Sequence, residues 1–271
     1  MQKEAMDGSG SGDRINPVAL ITGAASGIGA ATAARLASRA SGGLILIDRN
    51  EEALNVFADD LDDAPERVST LAFDVSDPMR WRDAADFITA QYGRLDWAVA
   101  NAGVTHSATI ADQDYDEWRR VLATNLDGVF LTLQTAMPLM RVNTLGGAIV
   151  VVASASGIKA EPGVGAYGAS KAAALQLARV AAKEGAGDRI RVNAVAPGGV
   201  ETPMWRDAAF FQEIVRETGS EAAAFQRMAE MATPLGHYAS ADDIARTIEN
   251  LLVDPAPVTG ATIVIDGGYT L

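Results

Sequence analysis

The stretch "VALITGAASGIGAATAARLA" (residues 18–37) decides the fold of this chain. An apolar run leads into a turn that carries Gly23, Gly27 and Gly29, and a helix is predicted to begin near Ser26. Glycines in such a turn let backbone N–H groups approach a pyrophosphate, and the positive end of the following helix stabilises its charge. A merely tight turn needs similar glycines, but the position between strand and helix at the start of a parallel fold favours nucleotide binding.

Six further apolar runs follow the first one: "LILID" (44–48), "VSTLAFD" (68–74), "LDWAVAN" (95–101), "AIVVVAS" (148–154), "IRVNAVA" (190–196) and "ATIVIDG" (261–267). Such near-continuous runs are typical of strands that are covered on both faces. Helical segments lie between them; Asp77 before Pro78 predicts one helix start, and Gly93 lies just beyond its end. The pattern predicts a single α/β domain with a doubly wound, seven-stranded parallel sheet flanked by helices.

The domain boundaries follow from composition. Residues 1–14, "MQKEAMDGSGSGDR", are polar and rich in glycine and serine, so we interpret them as a flexible leader or an expression remnant. Residues 15–271 then form one domain. The interval from Pro197 to Ala239 lacks strand character, which predicts short, mobile helices that cover the substrate near residues 199–235. Ordinary amphipathic surface helices explain the same interval equally well.

Charge and residue usage exclude several classes of function. The formal net charge of −13, from 22 Lys and Arg against 35 Asp and Glu, argues against nucleic acid and membrane partners. The chain has no cysteine, which excludes disulfides and thiolate chemistry and suits a cytoplasmic location. His106 and His237 are the only histidines and lie far apart in sequence, so no metal site is expected.

Asp48 ends the second predicted strand, 19 residues after Gly29. A carboxylate at this place accepts hydrogen bonds from an adenosine ribose and repels a 2′-phosphate, so it favours NAD over NADP. The neighbouring Arg49 tempers this preference, because it can pair with a phosphate. A simple helix or turn cap is the alternative role of Asp48.

Tyr167 and Lys171 lie four residues apart and therefore share one helix face. An ammonium roughly 6 Å from a phenolate contributes about 3 kcal/mol at a dielectric near 20, or about two pKa units. We therefore expect the tyrosine pKa to fall from about 10 towards 8, which makes it a usable base. Ser154 ends the fifth strand and is predicted to hold a substrate oxygen; a strand-end cap is its alternative role, and Ser156 competes with it.

The chain resembles the short-chain dehydrogenase/reductase family in motifs that occur in the family's order and spacing: "TGAASGIG" (22–29), Asp48, "DV" (74–75), "NAG" (101–103), Asn125, Ser154, "YGASK" (167–171), "PGGVET" (197–202) and "IDGG" (265–268). The resemblance implies a Rossmann fold and association as a homotetramer or homodimer. Ala100, His237 and Tyr238 depart from the common pattern, which leaves the subfamily open.

The resemblance also implies the roles of the site residues. Tyr167 would be the acid/base, Ser154 would orient the substrate oxygen, and Lys171 would lower the tyrosine pKa and hold the nicotinamide ribose. Asn125 would support a water-linked proton path; its alternative is a mid-helix asparagine that bonds locally to backbone. Asp74 and Val75 would address the adenine, and Thr202 the carboxamide. The full set of implied cofactor residues is Gly23, Ser26, Gly27, Ile28, Gly29, Asp48, Arg49, Asp74, Val75, Asn101, Ala102, Gly103, Tyr167, Lys171, Pro197, Gly198, Val200 and Thr202.

The predicted reaction is hydride transfer between a secondary alcohol or ketone and NAD. The covering interval is rich in apolar side chains, namely Met204, Trp205, Phe210, Phe211, Ile214, Phe225 and Met228. This favours a small, hydrophobic substrate, including alicyclic ones such as terpenoids or steroids. The alternatives are a 3-oxoacyl-thioester reductase and a nucleotide-sensing protein without catalysis. A hydrolase is disfavoured, since no Gly-x-Ser-x-Gly elbow occurs.

Overall fold

The computed structural model describes residues 16–61, 67–206, 208–254 and 256–271. The leader predicted over residues 1–14 lies outside these ranges. All seven predicted strands are present and form one sheet: β1 Val18–Thr22, β2 Gly43–Asp48, β3 Val68–Ala72, β4 Trp97–Ala100, β5 Gly147–Val152, β6 Ile190–Pro197 and β9 Thr262–Ile265. Two short strands, β7 (Val200–Glu201) and β8 (Ala239–Ser240), pair separately.

The strand order in the large sheet is β3-β2-β1-β4-β5-β6-β9, and every neighbouring pair is parallel. The predicted doubly wound parallel sheet is thereby confirmed. β1 and β4 are neighbours in the sheet, but the chain runs from β1 through β2 to β3 on one side and from β4 through β5 to β6 on the other. The order of the strands therefore reverses between β1 and β4. Ligands of open α/β sheets bind at such a switch point, outside the carboxyl ends of the strands.

Nine α-helices flank the strands in the described ranges: α1 Gly27–Ala37, α2 Glu51–Asp59, α3 Pro78–Gln91, α4 Tyr115–Leu122, α5 Gly128–Arg141, α6 Gly165–Gly185, α7 Ala209–Thr218, α8 Glu221–Ala232 and α9 Ala241–Val253. Asp77 caps α3 as predicted, since its side chain accepts hydrogen bonds from the backbone of Met79 and Arg80. A π-helical turn, Ala123–Asp127, joins α4 to α5. None of the described helices has the length and apolar character that spanning a bilayer requires.

The sheet separates two apolar layers. Leu20, Ile45 and Ile149 pack on the side of α3, α5 and α6, whereas Ile21 and Leu46 pack on the side of α1, α2 and α9. Successive strand residues point to opposite faces of the sheet. Because both faces are covered by helices, consecutive residues such as Leu20 and Ile21 are both apolar. The predicted two-sided burial follows from this arrangement.

The predicted covering segment (residues 199–235) contains α7 and α8 and has a small apolar cluster of its own. Phe211 and Phe225 lie at its centre, with ring centroids 4.7 Å apart. Trp205 packs beside them and donates its indole N–H to the carbonyl of Val200 at 2.8 Å. Mobility and substrate coverage by this segment stay predictions.

Candidate active site

The glycine-rich turn after β1 has a backbone that other residues do not adopt readily. Gly23 and Gly27 have φ of +64° and +54°. Gly29 cannot carry a side chain for another reason: a Cβ there would collide with the carbonyl oxygen of Gly23. The turn and the start of α1 therefore pack backbone against backbone.

The "NAG" segment holds this turn in place. The side-chain amide of Asn101 donates to the carbonyl oxygens of Thr22 (2.9 Å) and Gly23 (3.1 Å). In return, the Thr22 hydroxyl accepts from the backbone N–H groups of Asn101 and Ala102. The buried Thr22 is a positioning residue that the sequence analysis quoted in its motif but did not assign to the site.

The N-terminus of α1 presents free donors. Ser26 is its N-cap residue, but in the described part of the chain its side chain makes no capping hydrogen bond. The first turn of α1 also contains no acidic residue. Among the described residues no side chain caps these backbone N–H groups, so they and the helix dipole are placed as in an anion-binding helix start.

Asp48 lies at the end of β2 beside this turn. Its carboxylate accepts from the backbone N–H of Ala25 (3.1 Å) and of Asn50 (3.0 Å). The cap role considered as an alternative is therefore present in the structure. It does not use up the carboxylate, since each oxygen accepts one such bond and retains further acceptor capacity. Asp48 and the exposed Arg49 both border the cleft described next.

A cleft of about 710 Å³ lies along the carboxyl ends of β1, β2, β3 and β4. Twelve of the predicted cofactor residues line it: Gly23, Ser26, Gly27, Ile28, Asp48, Arg49, Asp74, Val75, Asn101, Ala102, Gly103 and Thr202. The predicted residues that stand outside its lining are Gly29, Pro197, Gly198, Val200, Tyr167 and Lys171. Gly29 packs behind the turn, and Gly198 donates its N–H to Ile265 at 2.9 Å.

The cleft also includes residues that the sequence analysis did not assign to the cofactor, among them Asn50, Phe73, Val104, Arg120 and Thr124. Arg120 and Thr124 are four residues apart in the helical stretch before Asn125 and so share a helix face. This spacing could have indicated from the sequence that both border the same site. The donors at α1, the carboxylate of Asp48 and the cleft volume together fit a dinucleotide such as NAD or NADP.

Tyr167 lies on α6 and keeps some solvent exposure. Burial by surrounding protein raises the pKa of its hydroxyl above the ordinary value, and the Ser154 hydroxyl opposes this by favouring the phenolate. The expected fall of the Tyr167 pKa towards 8 is therefore wrong, since that pKa is raised. Its physical reason is that desolvation of the phenolate outweighs the other influences.

Lys171 is almost fully buried, with 3% of its surface exposed. Its Nζ lies 5.7 Å from the centre of the Tyr167 ring and donates to the carbonyl oxygen of Val152 at 2.9 Å. The predicted proximity of the two side chains is thus present. Burial lowers the pKa of Lys171 to about 8. Lys171 therefore loses its positive charge at a lower pH than an ordinary lysine, whereas the predicted effect on Tyr167 assumed a charged ammonium.

Asn125 is fully buried in the π-helical turn between α4 and α5. Its Oδ1 accepts from the Val104 N–H (2.8 Å), while its Nδ2 donates to the Val104 carbonyl (2.9 Å) and to Ser170 Oγ (3.1 Å). Since these partners are distant in sequence, the alternative of a locally bonded asparagine is wrong. Ser170 in turn donates to the backbone carbonyl of Tyr167 at 2.7 Å, which links the asparagine to α6.

Ser154 has the strand-end cap role that was considered as its alternative, while its contact with a substrate oxygen stays a prediction. Its Oγ accepts from the backbone N–H of Ser156 at 3.1 Å, so it caps the turn after β5. The Ser154 hydroxyl also donates to the Pro197 carbonyl at 3.5 Å, and its influence on Tyr167 is to lower the pKa of that hydroxyl. Ser154 is therefore the serine next to the tyrosine, while Ser156 supplies only a backbone contact to it here.

Gly103 completes the contact between the two halves of the site. A Cβ on Gly103 would lie 3.4 Å from both Asn125 Oδ1 and Lys171 Nζ. The cleft lined by Gly103 thereby meets the buried groups of α6 and of the π-helical turn.

The two histidines and Tyr238 have separate places. His106 Nδ1 lies 3.3 Å from Glu117 Oε2 on α4, and it is not among the residues that border the cleft. His237 contacts the Leu235 carbonyl at 3.0 Å. Tyr238 stacks on Trp205 at 6.3 Å between ring centroids, which joins the covering segment to the residues before α9. In the described ranges no group of three potential metal ligands occurs.

Comparison with known proteins gives consistent results. The family model for short chain dehydrogenases matches residues 17–212. A 3-oxoacyl-[acyl-carrier-protein] reductase of Thermotoga maritima is 37% identical over 94% of this chain and 98% of the relative. Cis-4-hydroxycyclohexanecarboxylate dehydrogenase of Sinomonas cyclohexanicum is 40% identical over 93% of this chain and 96% of the relative. The crystal structure of carveol dehydrogenase from Mycobacterium avium in complex with NAD has a TM-score of 0.86 at 32% identity, with 93% and 97% of the two chains covered.

Proposed function

The chain belongs to the short chain dehydrogenase family, and we propose that it transfers a hydride between NAD and a hydrophobic, alicyclic secondary alcohol or the corresponding ketone. One observation carries this proposal. Tyr167 lies beside Lys171, whose Nζ is 5.7 Å from the centre of the Tyr167 ring, and beside Ser154, whose hydroxyl favours the phenolate; these groups meet a cleft suited to a dinucleotide.

The proposed chemistry divides among the residues of the chain. Ser154 and Tyr167 hold the substrate oxygen through their hydroxyls. When bound, NAD accepts the hydride, and its oxidised ring carries a positive charge that favours the phenolate. In ketone reduction, the raised pKa of Tyr167 keeps its proton available for the developing alkoxide. Lys171 and Asn125 support proton return from solvent.

The preference for NAD rests on Asp48. Its carboxylate borders the cleft at the place of the adenosine ribose, where a 2′-phosphate would meet like charge. Arg49 also borders the cleft and is exposed, so it offers the opposing attraction. We expect a higher kcat/KM with NAD than with NADP, and Asp48→Ser should narrow the difference. A clear NADP preference in the unaltered protein would refute this part of the proposal.

The substrate class rests on apolar surface and on two relatives. Met204 borders the cleft, and Met204 and Phe210 are about half exposed at 47% and 50%. Cis-4-hydroxycyclohexanecarboxylate dehydrogenase and carveol dehydrogenase are both named for ring alcohols. A panel of cyclohexanols, terpenoid alcohols, steroids and polyols, followed by absorbance of reduced NAD, tests the class. Turnover confined to polyols would contradict it.

A 3-oxoacyl-thioester reductase is the second candidate, because the Thermotoga maritima relative carries that activity in its name. A 3-oxoacyl thioester belongs in the same panel. Faster reduction of this thioester than of any ring ketone would favour the second candidate. The nucleotide-sensing alternative is separated from both by the tyrosine variant below.

Tyr167→Phe removes the proposed acid/base and keeps the ring. We expect kcat to fall by a factor on the order of 10³, within the usual range for general acid–base groups, while the Kd for NAD changes little. The measurements are steady-state kinetics and calorimetric titration. Tyr115→Phe is the matched control, since Tyr115 is 70% exposed at the start of α4. Undiminished turnover in Tyr167→Phe would overturn the proposed mechanism.

We also propose that residues 15–271 act as one domain, that the chain works in the cytoplasm and that it forms a homotetramer or homodimer. The absence of cysteine suits the location. Phe130 on α5 and Val180 on α6 support association, since 46% and 41% of their surfaces are exposed on adjacent helices.

A further inference from the structure

Arg120 borders the cofactor cleft, although it belongs to none of the motifs that the proposed function uses. It lies on α4, one helical turn before Thr124, which borders the same cleft. Its side chain is 39% exposed and so remains accessible to a ligand.

The guanidinium is held in a fixed orientation. Glu117 Oε2 accepts from Nε at 2.9 Å and from Nη2 at 2.7 Å, and Nη2 also donates to the Thr105 carbonyl at 3.2 Å. Arg120 holds the pKa of Glu117 below its ordinary value, so the carboxylate stays ionised. Hydrogen bonds from a guanidinium run in its plane, so these three bonds occupy neither of its faces.

The position of Arg120 in the cleft selects one part of a dinucleotide. The pyrophosphate belongs at the start of α1, and the adenosine ribose belongs at Asp48. The base then extends from Asp48 towards the end of β3, because Asp48 pairs with Ala72 of that strand. Asp74 and Val75 follow there. A Cβ on Gly128 would lie 2.7 Å from Val75, which shows that the α4–α5 stretch lies against this end of the cleft.

We propose that Arg120 packs its guanidinium face against the adenine of bound NAD, with Glu117 as its positioning residue. A planar cation is attracted to the face of an aromatic ring, and arginine stacks better than lysine because its charge is delocalised over a plane. Its charge also offsets the acidic side chains of Asp48 and Asp74 at the same cleft. This inference depends on the proposed function only in that NAD is the ligand.

Calorimetric titration tests the inference without reference to turnover. Arg120→Gln should weaken NAD and ADP-ribose about tenfold, as expected for loss of a partly buried cation–π contact, and leave nicotinamide mononucleotide unchanged. Arg119→Gln is the matched control, since it removes the same charge from an adjacent, exposed arginine outside the cleft lining. Arg120→Lys should also weaken NAD, though by less than Arg120→Gln does, because lysine keeps the charge but lacks the planar face. Glu117→Gln should weaken it by a smaller factor, and circular dichroism with thermal melting shows that each variant is folded.

Each other outcome has a defined meaning. Equal affinities of Arg120→Gln and Arg119→Gln overturn the inference and leave the proposed function intact. Full affinity in Arg120→Lys overturns stacking, because charge alone would then suffice. Weakened binding of inorganic pyrophosphate by Arg120→Gln assigns the residue to the phosphates and overturns the adenine contact. Failure of the unaltered protein to bind NAD or ADP-ribose overturns both the inference and the NAD proposal.

Discussion

Tyr167 and Lys171 lie on one face of α6, and burial shifts their pKa values in opposite directions. The pKa of the phenol rises, while that of the ammonium falls to about 8. Both shifts favour the neutral form, because both charged forms lose hydration. Lys171 therefore assists the tyrosine electrostatically only at pH values where the lysine still holds its proton.

The shift of Lys171 predicts a pH-dependent stability. The unfolded lysine titrates near its ordinary value of 10.5 and the folded one near 8. Between these values the unfolded state binds more protons, so the lysine contribution to the free energy of unfolding increases as pH rises. Relative to Lys171→Met, we expect the stability of the unaltered protein to increase by about 2 kcal/mol between about pH 7.5 and about pH 9.5.

Urea denaturation of both proteins at the two pH values measures this difference. Methionine cannot make the bond from Lys171 to the Val152 carbonyl at either pH value, so the part of the stability difference that changes with pH reports the titration of the lysine. Lys183→Met is the control, because Lys183 is an exposed residue on the same helix. A stability difference between wild type and Lys171→Met that does not change with pH would contradict the burial-driven shift.

At the level of elements, the apolar runs were sufficient to locate every strand of the large sheet. The predicted ends were less accurate: β3 stops at Ala72 and β4 at Ala100, before the predicted limits of 74 and 101. The residues beyond these ends no longer pair with the neighbouring strands and contribute to the candidate site instead. Asn101, for example, turns towards Thr22 and Gly23.

The π-helical turn at Asn125 could not be predicted from local sequence. Its asparagine bonds Val104 and Ser170, which are 21 and 45 residues away. Such a turn is stabilised by tertiary contacts that helix propensity does not contain. The raised pKa of Tyr167 escaped prediction for a related reason, because residue spacing reports a neighbouring charge but not the degree of burial.

The close contact between α1 and the glycine turn yields a prediction at this scale. In Gly29→Ala, the new Cβ would collide with the Gly23 carbonyl, which cannot move away without opening the turn. We expect a loss of about 1–3 kcal/mol in unfolding free energy and a large loss of NAD affinity. Gly187→Ala is the matched control, since nothing lies within 4 Å of a Cβ there. Equal stability of the two variants, with NAD affinity retained in Gly29→Ala, would show that the turn does not need this contact.

For the whole molecule, surface charge and apolar surface act in opposite directions on self-association. Each chain carries a formal charge of −13, so copies repel one another. Apolar contact must outweigh this repulsion if a tetramer is to form. Phe130 on α5 and Val180 on α6 have exposed apolar side chains, and these two helices contact each other in the fold. We therefore expect the proposed subunit contact, if the chain associates, to involve this pair of helices.

Phe130→Glu places an additional carboxylate at the centre of the proposed contact, where pairing of two copies would bury it without a partner. We expect the unaltered protein to sediment as an assembly of 28.2 kDa chains and Phe130→Glu to sediment as a smaller species. Val56→Glu makes the same chemical change at a residue that is 58% exposed on α2, and it should leave the assembly intact. Higher ionic strength should partly restore association of the variant, because salt screens the repulsion between acidic chains. Sedimentation velocity decides the matter: a Phe130→Glu profile identical to that of Val56→Glu would place the subunit contact elsewhere.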